Sequence, residues 1–283
     1  AVGRGSLTAN TTACGNTAIG MFSVATNTTG ASNVGIGRNS LRANTTAANN
    51  TAVGTNSLCA NTTGVDGTAV GHSALLGNTT GANNVAVGHD ALFTNTDCNN
   101  NTGLGTFALR LNDAGDNTAV GFASMCATTT GASNTAVGTY SLDANTTGTR
   151  NVAVGFCSLT ANTSGADNTA VGNDSLRSNT TGANNVAVGK NALVANTEGD
   201  ANTAVGCNTL GANTTADNNT AIGAFALDTN TTGGDNTAVG KNALTANTTG
   251  GANAAVGMDT LKANTTGTSN VAVGFKSLLT NTT

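Results

Sequence analysis

The chain has 283 residues, of which 8% are charged and 3% aromatic, with no Trp, no Pro and a formal net charge of −4. Without a basic stripe nothing neutralises a phosphate backbone, which argues against nucleic acid as a partner, and no run of 18 apolar residues occurs to insert into a membrane. Aliphatic residues are sparse enough to fit disorder, but disorder goes with high net charge, and here the aliphatics fall at fixed positions.

Those positions show from the first residues. A glycine that follows a small–aliphatic pair stands at Gly3, Gly20, Gly37, Gly54, Gly71, Gly88 and Gly105, then at Gly121, Gly138, Gly155, Gly172, Gly189, Gly206, Gly223, Gly240, Gly257 and Gly274. Every interval is 17 residues except the 16 between Gly105 and Gly121. A short fixed period marks an array in which each unit contacts only its neighbours and no central core grows with length. Residues 1–283 are therefore expected to form a single repeat array. Because the sequence starts and stops mid-repeat, the expectation is a segment of a longer fibre protein.

Numbered from the Asn four residues before that glycine, the unit reads Asn-Thr-Ala-Val-Gly-x-x-Ser-Leu-x-Ala-Asn-Thr-Thr-Gly-x-x. Position four is always aliphatic (Ile19, Val53, Leu104), and position three is Ala or Gly (Ala18, Gly35). Position two alternates between Thr and Val (Thr17, Val34, Thr51), and position nine is Leu except at Val24 and Met125. Glycine, Asn and Thr are poor in helix interiors, and no apolar stripe at helical spacing can be drawn. Short strands between Gly/Asn/Thr turns fit instead, and the absence of Pro keeps every N–H for pairing between coils. The expected fold is an all-β parallel β-solenoid (β-roll) of about 17 coils. One strand lies near Asn-Thr-Ala-Val-Gly and a second near Ser-Leu-x-Ala-Asn-Thr. Stacked at ~4.8 Å, 17 coils make a rod of roughly 80 Å. The residue missing from the 16-residue interval falls between Asn112 and Asn117, in the turn.

In the first strand, positions two and four share one face and position three takes the other. Neither face carries the charges that a water-facing strand normally shows. One face is expected to line the interior and the other to meet a copy of the same chain.

The core Ala-Val-Gly-x-x-Ser-x-x-Ala, with a Gly turn and Asn or Ser before the next Ala-Val-Gly, resembles the head repeats of trimeric autotransporter adhesins (the YadA-like left-handed β-roll) and related phage and algal-virus fibre repeats. The unit here is longer by the Asn-Thr-Thr segment. The resemblance covers the whole chain. It implies a left-handed coil, a trimer, and an extracellular setting on a cell surface or a virion fibre.

Sequons occupy position twelve at Asn10, Asn27, Asn44, Asn61, Asn78, Asn145, Asn162, Asn179, Asn213, Asn230, Asn247, Asn264 and Asn281; Asn95, Asn112 and Asn196 fail the rule, and Thr128 replaces one Asn. Two readings stand. The column carries N-glycans, or it is a ladder of stacked amides joining coil to coil; sugars every ~4.8 Å would crowd one another. Regular Thr columns also raise ice binding, although Val interrupts the second-position column. His72 and His89 are 17 residues apart and stack on adjacent coils, with Asp90 the acidic neighbour. They read as solvated turn residues, and no metal or cofactor is expected. Phe22, Phe107, Phe122, Tyr140, Phe156, Phe225 and Phe275 fall at positions six or seven, along one edge, where they pack against a neighbour or contact a glycan or receptor. The cysteines Cys14, Cys59, Cys98, Cys126, Cys157 and Cys207 lie at least two coils apart, too far for disulfides within the chain.

No nucleophile–base pair or phosphate loop stands out, so no catalytic residue is expected and the chain reads as a non-enzyme. The leading expectation is a structural subunit of an extracellular fibre or filament, self-associating as a trimer or head to tail. The alternatives are an adhesin or host-recognition head that binds glycans or a receptor, and an ice-binding protein.

Overall fold

A computed structural model describes residues 1–282. The chain divides into two compact units, Ala1–Tyr140 and a second that starts at Ser141. Each is a parallel β-solenoid. The first holds eight strands, from β1 (Thr17–Ile19) to β8 (Thr135–Val137), and the second eight more, from β9 (Val152–Val154) to β16 (Val271–Val273). Within each unit the strands pair in chain order, all parallel. Thr169 lies opposite Val186 and Ala170 opposite Ala187, which is an offset of one 17-residue coil. Among the described residues no helix is long and apolar enough to cross a membrane.

The first-strand expectation holds, shortened to three residues. Its middle residue points inward: Ala18, Ala52 and Ala170 are wholly buried. Only a small side chain fits that narrow interior. At Gly35 a Cβ would already lie 2.6 Å from Ser23 Oγ. Leucines from position nine fill the rest, and Leu41, Leu58, Leu193 and Leu244 are at most 1% exposed.

The second expected strand does not form. Positions six to eleven run as turns. Positions seven and nine are left-handed, as at Asn191 (φ 57°) and Leu193 (φ 52°), while the residue between them is not. Such alternation keeps the segment elongated, so coil-to-coil bonds continue without β dihedrals: the N–H of Leu41 donates to Ser57 O at 3.1 Å and that of Ala43 to Cys59 O at 3.0 Å. This explains the composition of the ninth column. A positive φ is an outlier for β-branched side chains, so the position that wants a large aliphatic residue takes Leu or Met, with Val24 the exception. The seventeenth column is left-handed as well, for example Asn49 (φ 63°), Asp66 (φ 58°) and Arg150 (φ 56°). Asn and Asp enter that region most readily, which accounts for their frequency there without a ligand.

The recurring glycine is required twice over. Gly37 has φ 129°, and a Cβ on it would sit 2.5 Å from Gly54 O.

The 16-residue coil is repaired in its turn. Asn112 Nδ2 reaches the carbonyl of Ala114, two residues on, at 2.7 Å, where the other coils reach three residues on. β6 (Thr102–Leu104) and β7 (Thr118–Val120) then pair in register, Thr102 opposite Thr118.

The left-handed ninth column should invert the usual ranking of conservative core changes. Leu193→Ile keeps the volume but puts a β-branched residue at positive φ, and should cost about 1–3 kcal/mol. Leu193→Met should cost below about 1.5 kcal/mol. Urea denaturation of the two variants checks this; equal losses would remove backbone handedness as the cause.

Candidate functional site

Three features run along the coils: an internal pair of asparagine columns, the outward face of the strands, and an edge of aromatic rings.

The coil that begins at Asn168 shows the internal network. Asn168 Nδ2 donates to Gly182 O at 2.8 Å, and Asn179 Nδ2 donates to the same carbonyl at 2.9 Å. Asn179 Nδ2 also donates to Asn162 Oδ1 of the preceding coil at 2.9 Å, and Asn179 Oδ1 accepts from Asn196 Nδ2 of the following one at 2.8 Å. Asn168 Oδ1 accepts from the backbone N–H of Asn185 at 3.0 Å. Both asparagines are wholly buried. The pattern repeats at Asn27, Asn44, Asn61 and Asn78 in the first unit and at Asn213, Asn230, Asn247 and Asn264 in the second. Asn145 donates to Gly148 O and accepts from Asn162. Asn10 and Asn281, near the two ends, are half-buried. Asn95, Asn112 and Asn196, which lack the sequon, make the same bonds. The residue that departs is Thr128, whose buried Oγ1 has no hydrogen-bond partner. The first-position asparagines carry half of this network. Their regularity was the available signal, and their inward orientation was not readable.

The outward strand face carries positions two and four. The fourth column is exposed in many coils, with Ile19 at 44%, Val70 and Val87 at 37% and Ile222 at 42%. Neither column carries a charged residue in β1–β16. The asparagine amides of each coil have thus gone inside while its position-four aliphatic side chains stand outside.

On the ring edge, five consecutive coils place their rings in contact. His72 stacks on His89 with centroids 5.1 Å apart and planes 10° from parallel. His89 meets Phe107 edge-on at 5.5 Å, Phe107 meets Phe122 at 5.9 Å, and Phe122 meets Tyr140 at 5.4 Å. The run draws on both positions six and seven, so spacing alone does not reveal it. Phe22 belongs to a different group, covered by the guanidinium groups of Arg4 and Arg42 at 5.9 and 5.8 Å. Phe156, Phe225 and Phe275 are exposed, Phe275 with Lys276 Nζ 5.0 Å from its ring centre.

Charge is confined to the edges. Arg150 grips Asp167 of the next coil through Nε and an Nη at 2.7 and 2.8 Å. This hydrogen-bonded pairing lowers the aspartate pKa and raises that of the arginine. All six cysteines are free thiols. Burial first, then the carboxylates of Asp113 and Asp97, push the Cys98 thiol up to about 11, so it resists ionisation at neutral pH.

Asn179→Ala should lower stability by about 2–4 kcal/mol, because it leaves buried Asn162 Oδ1 without its donor and Asn196 Nδ2 with Gly199 O as its one remaining acceptor. Thr128→Asn should raise it by about 1 kcal/mol by restoring an amide to the column. Denaturant unfolding of both variants measures the pair of effects; a neutral Asn179→Ala would show that the amides are dispensable.

The chain matches no family model and no curated protein sequence.

Proposed function

We propose that this chain is a structural subunit of an extracellular fibre that self-associates side to side through the outward strand face. The observation that carries this reading is the in-register, charge-free array of Thr, Val and Ile on that face. The array repeats with the coil, so the surface that matches it along its whole length is another array with the same coil spacing, which a second copy provides. Eight coils offer on the order of several hundred Å² each side, approaching the ~800 Å² per partner of a stable interface, and the exposed aliphatic column within that face is the kind of surface that marks an interaction site. The extracellular setting rests on the resemblance to adhesin head and viral fibre repeats.

The test is sedimentation of the purified chain beside Val70→Lys/Val87→Lys. The parent should associate with rising concentration, and the variant should remain a monomer with an unchanged circular dichroism spectrum. A parent that stays monomeric at high concentration sinks the proposal.

In this reading the position-twelve column is structural and carries no sugar, since the nitrogen that would bear a glycan already spends both hydrogens inside the coil. Chain secreted from a glycosylating host should therefore show the mass of its sequence. A mass raised by one glycan per buried sequon would reverse that assignment.

A further inference from the structure

We propose that His72, His89 and Asp90 form a binding site for a divalent transition-metal ion of the zinc class, a role that their spacing in the sequence did not reveal. The chain has two histidines in 283 residues, and the coil period brings them together at position six of adjacent coils. One ligand atom from each of His72, His89 and Asp90 lies within 4.8 Å of the other two.

Asp90 is the decisive member. It sits in the left-handed seventh position (φ 53°), beside the histidine edge. Its side chain is 13% exposed, with one carboxylate oxygen 3.6 Å from His89 Nδ1 and 3.8 Å from Arg110 Nε. Neither distance is that of a hydrogen bond, so this largely desolvated carboxylate is held by two loose ion pairs and no close donor. The equivalent aspartate at Asp259 differs: Asn242 Nδ2 and Lys262 Nζ hold it at 2.9 and 3.0 Å. Ser73 Oγ, 3.1 Å from His72 Nδ1, orients that ring as outer partners of metal-bound imidazoles do.

Two imidazoles and one carboxylate suit zinc and its neighbours, whereas calcium and magnesium prefer oxygen alone. Bonds of ~2.0–2.1 Å require the ring nitrogens to draw together from their stacked positions. Both rings are solvent-exposed, so the swing costs no core packing. Three protein ligands leave a fourth coordination position for water. Arg110 competes for the carboxylate, and metal binding displaces it.

The experiment is calorimetric titration of the chelator-washed full chain with Zn²⁺ alone, paralleled by Co²⁺ absorption. One ion per chain is expected. His72→Gln and His89→Gln should each weaken binding by about tenfold or more, and Asp90→Asn should weaken it too. Circular dichroism should be unchanged, since all three changes fall on the surface edge. The proposal is overturned by the absence of saturable binding, or by binding that survives the double histidine variant. It is equally overturned by binding that disappears with Cys98→Ser, because Asp97, Cys98 and Asp113 form the other cluster of ligand-type side chains among the described residues.

Discussion

In most coils one backbone carbonyl, that of position fifteen, takes the amides of two asparagines, and the asparagine oxygens take N–H groups from the following coil. At Gly182 the donors are Asn168 and Asn179. The first bond closes the coil on itself, and the bonds between coils set their registry. A cavity lined by Ala and Leu is too small to hold a chain of this length by apolar burial alone. A buried amide without a partner costs about 1–3 kcal/mol, so each coil is compelled to present the carbonyl that its asparagines need. The polar interior is therefore a specifying element as well as a stabilising one.

The strand itself sets the surface. Position three points inward, so strand alternation places the aliphatic residues of position four on the outer face together with the Thr and Val of position two. Charge is excluded from that face and gathers at the turns, where Arg150 and Asp167 pair across adjacent coils. The result is a chain with two distinct outer aspects: a charge-free strand face of Thr, Val and Ile, and an edge of rings, charges and histidines where the repeat varies. Functional variety belongs on that edge because positions six and seven face away from the amide network.

The period, the first strand, the inward Ala column and the place of the missing residue were all legible, because each depends on residue type recurring at a fixed interval. The second strand was misread for a definite reason. Ser-Leu-x-Ala alternates as a strand does, and the sign of φ leaves no mark on that alternation. Its one trace is the near absence of Val and Ile at position nine, a signal of exclusion, which is harder to see than a signal of presence. The His72–His89 pairing followed from spacing alone. The approach of the Asp90 carboxylate is a matter of side-chain placement that spacing does not carry, and the ring run from His72 to Tyr140 depended on two positions converging on one edge.

The left-handed leucines also bear on how such a chain comes to be folded. Each ninth residue is held at a dihedral that costs of the order of 1 kcal/mol, and a solitary coil has no neighbour to supply the bonds that offset it. Strain comes first and is recovered only on stacking, as the opening turn of a helix is unfavourable before elongation becomes favourable. The barrier then lies in bringing the first few coils together, after which each new one is templated by the last. A chain built this way orders more as a crystal grows, from a seed, than as a globule collapses.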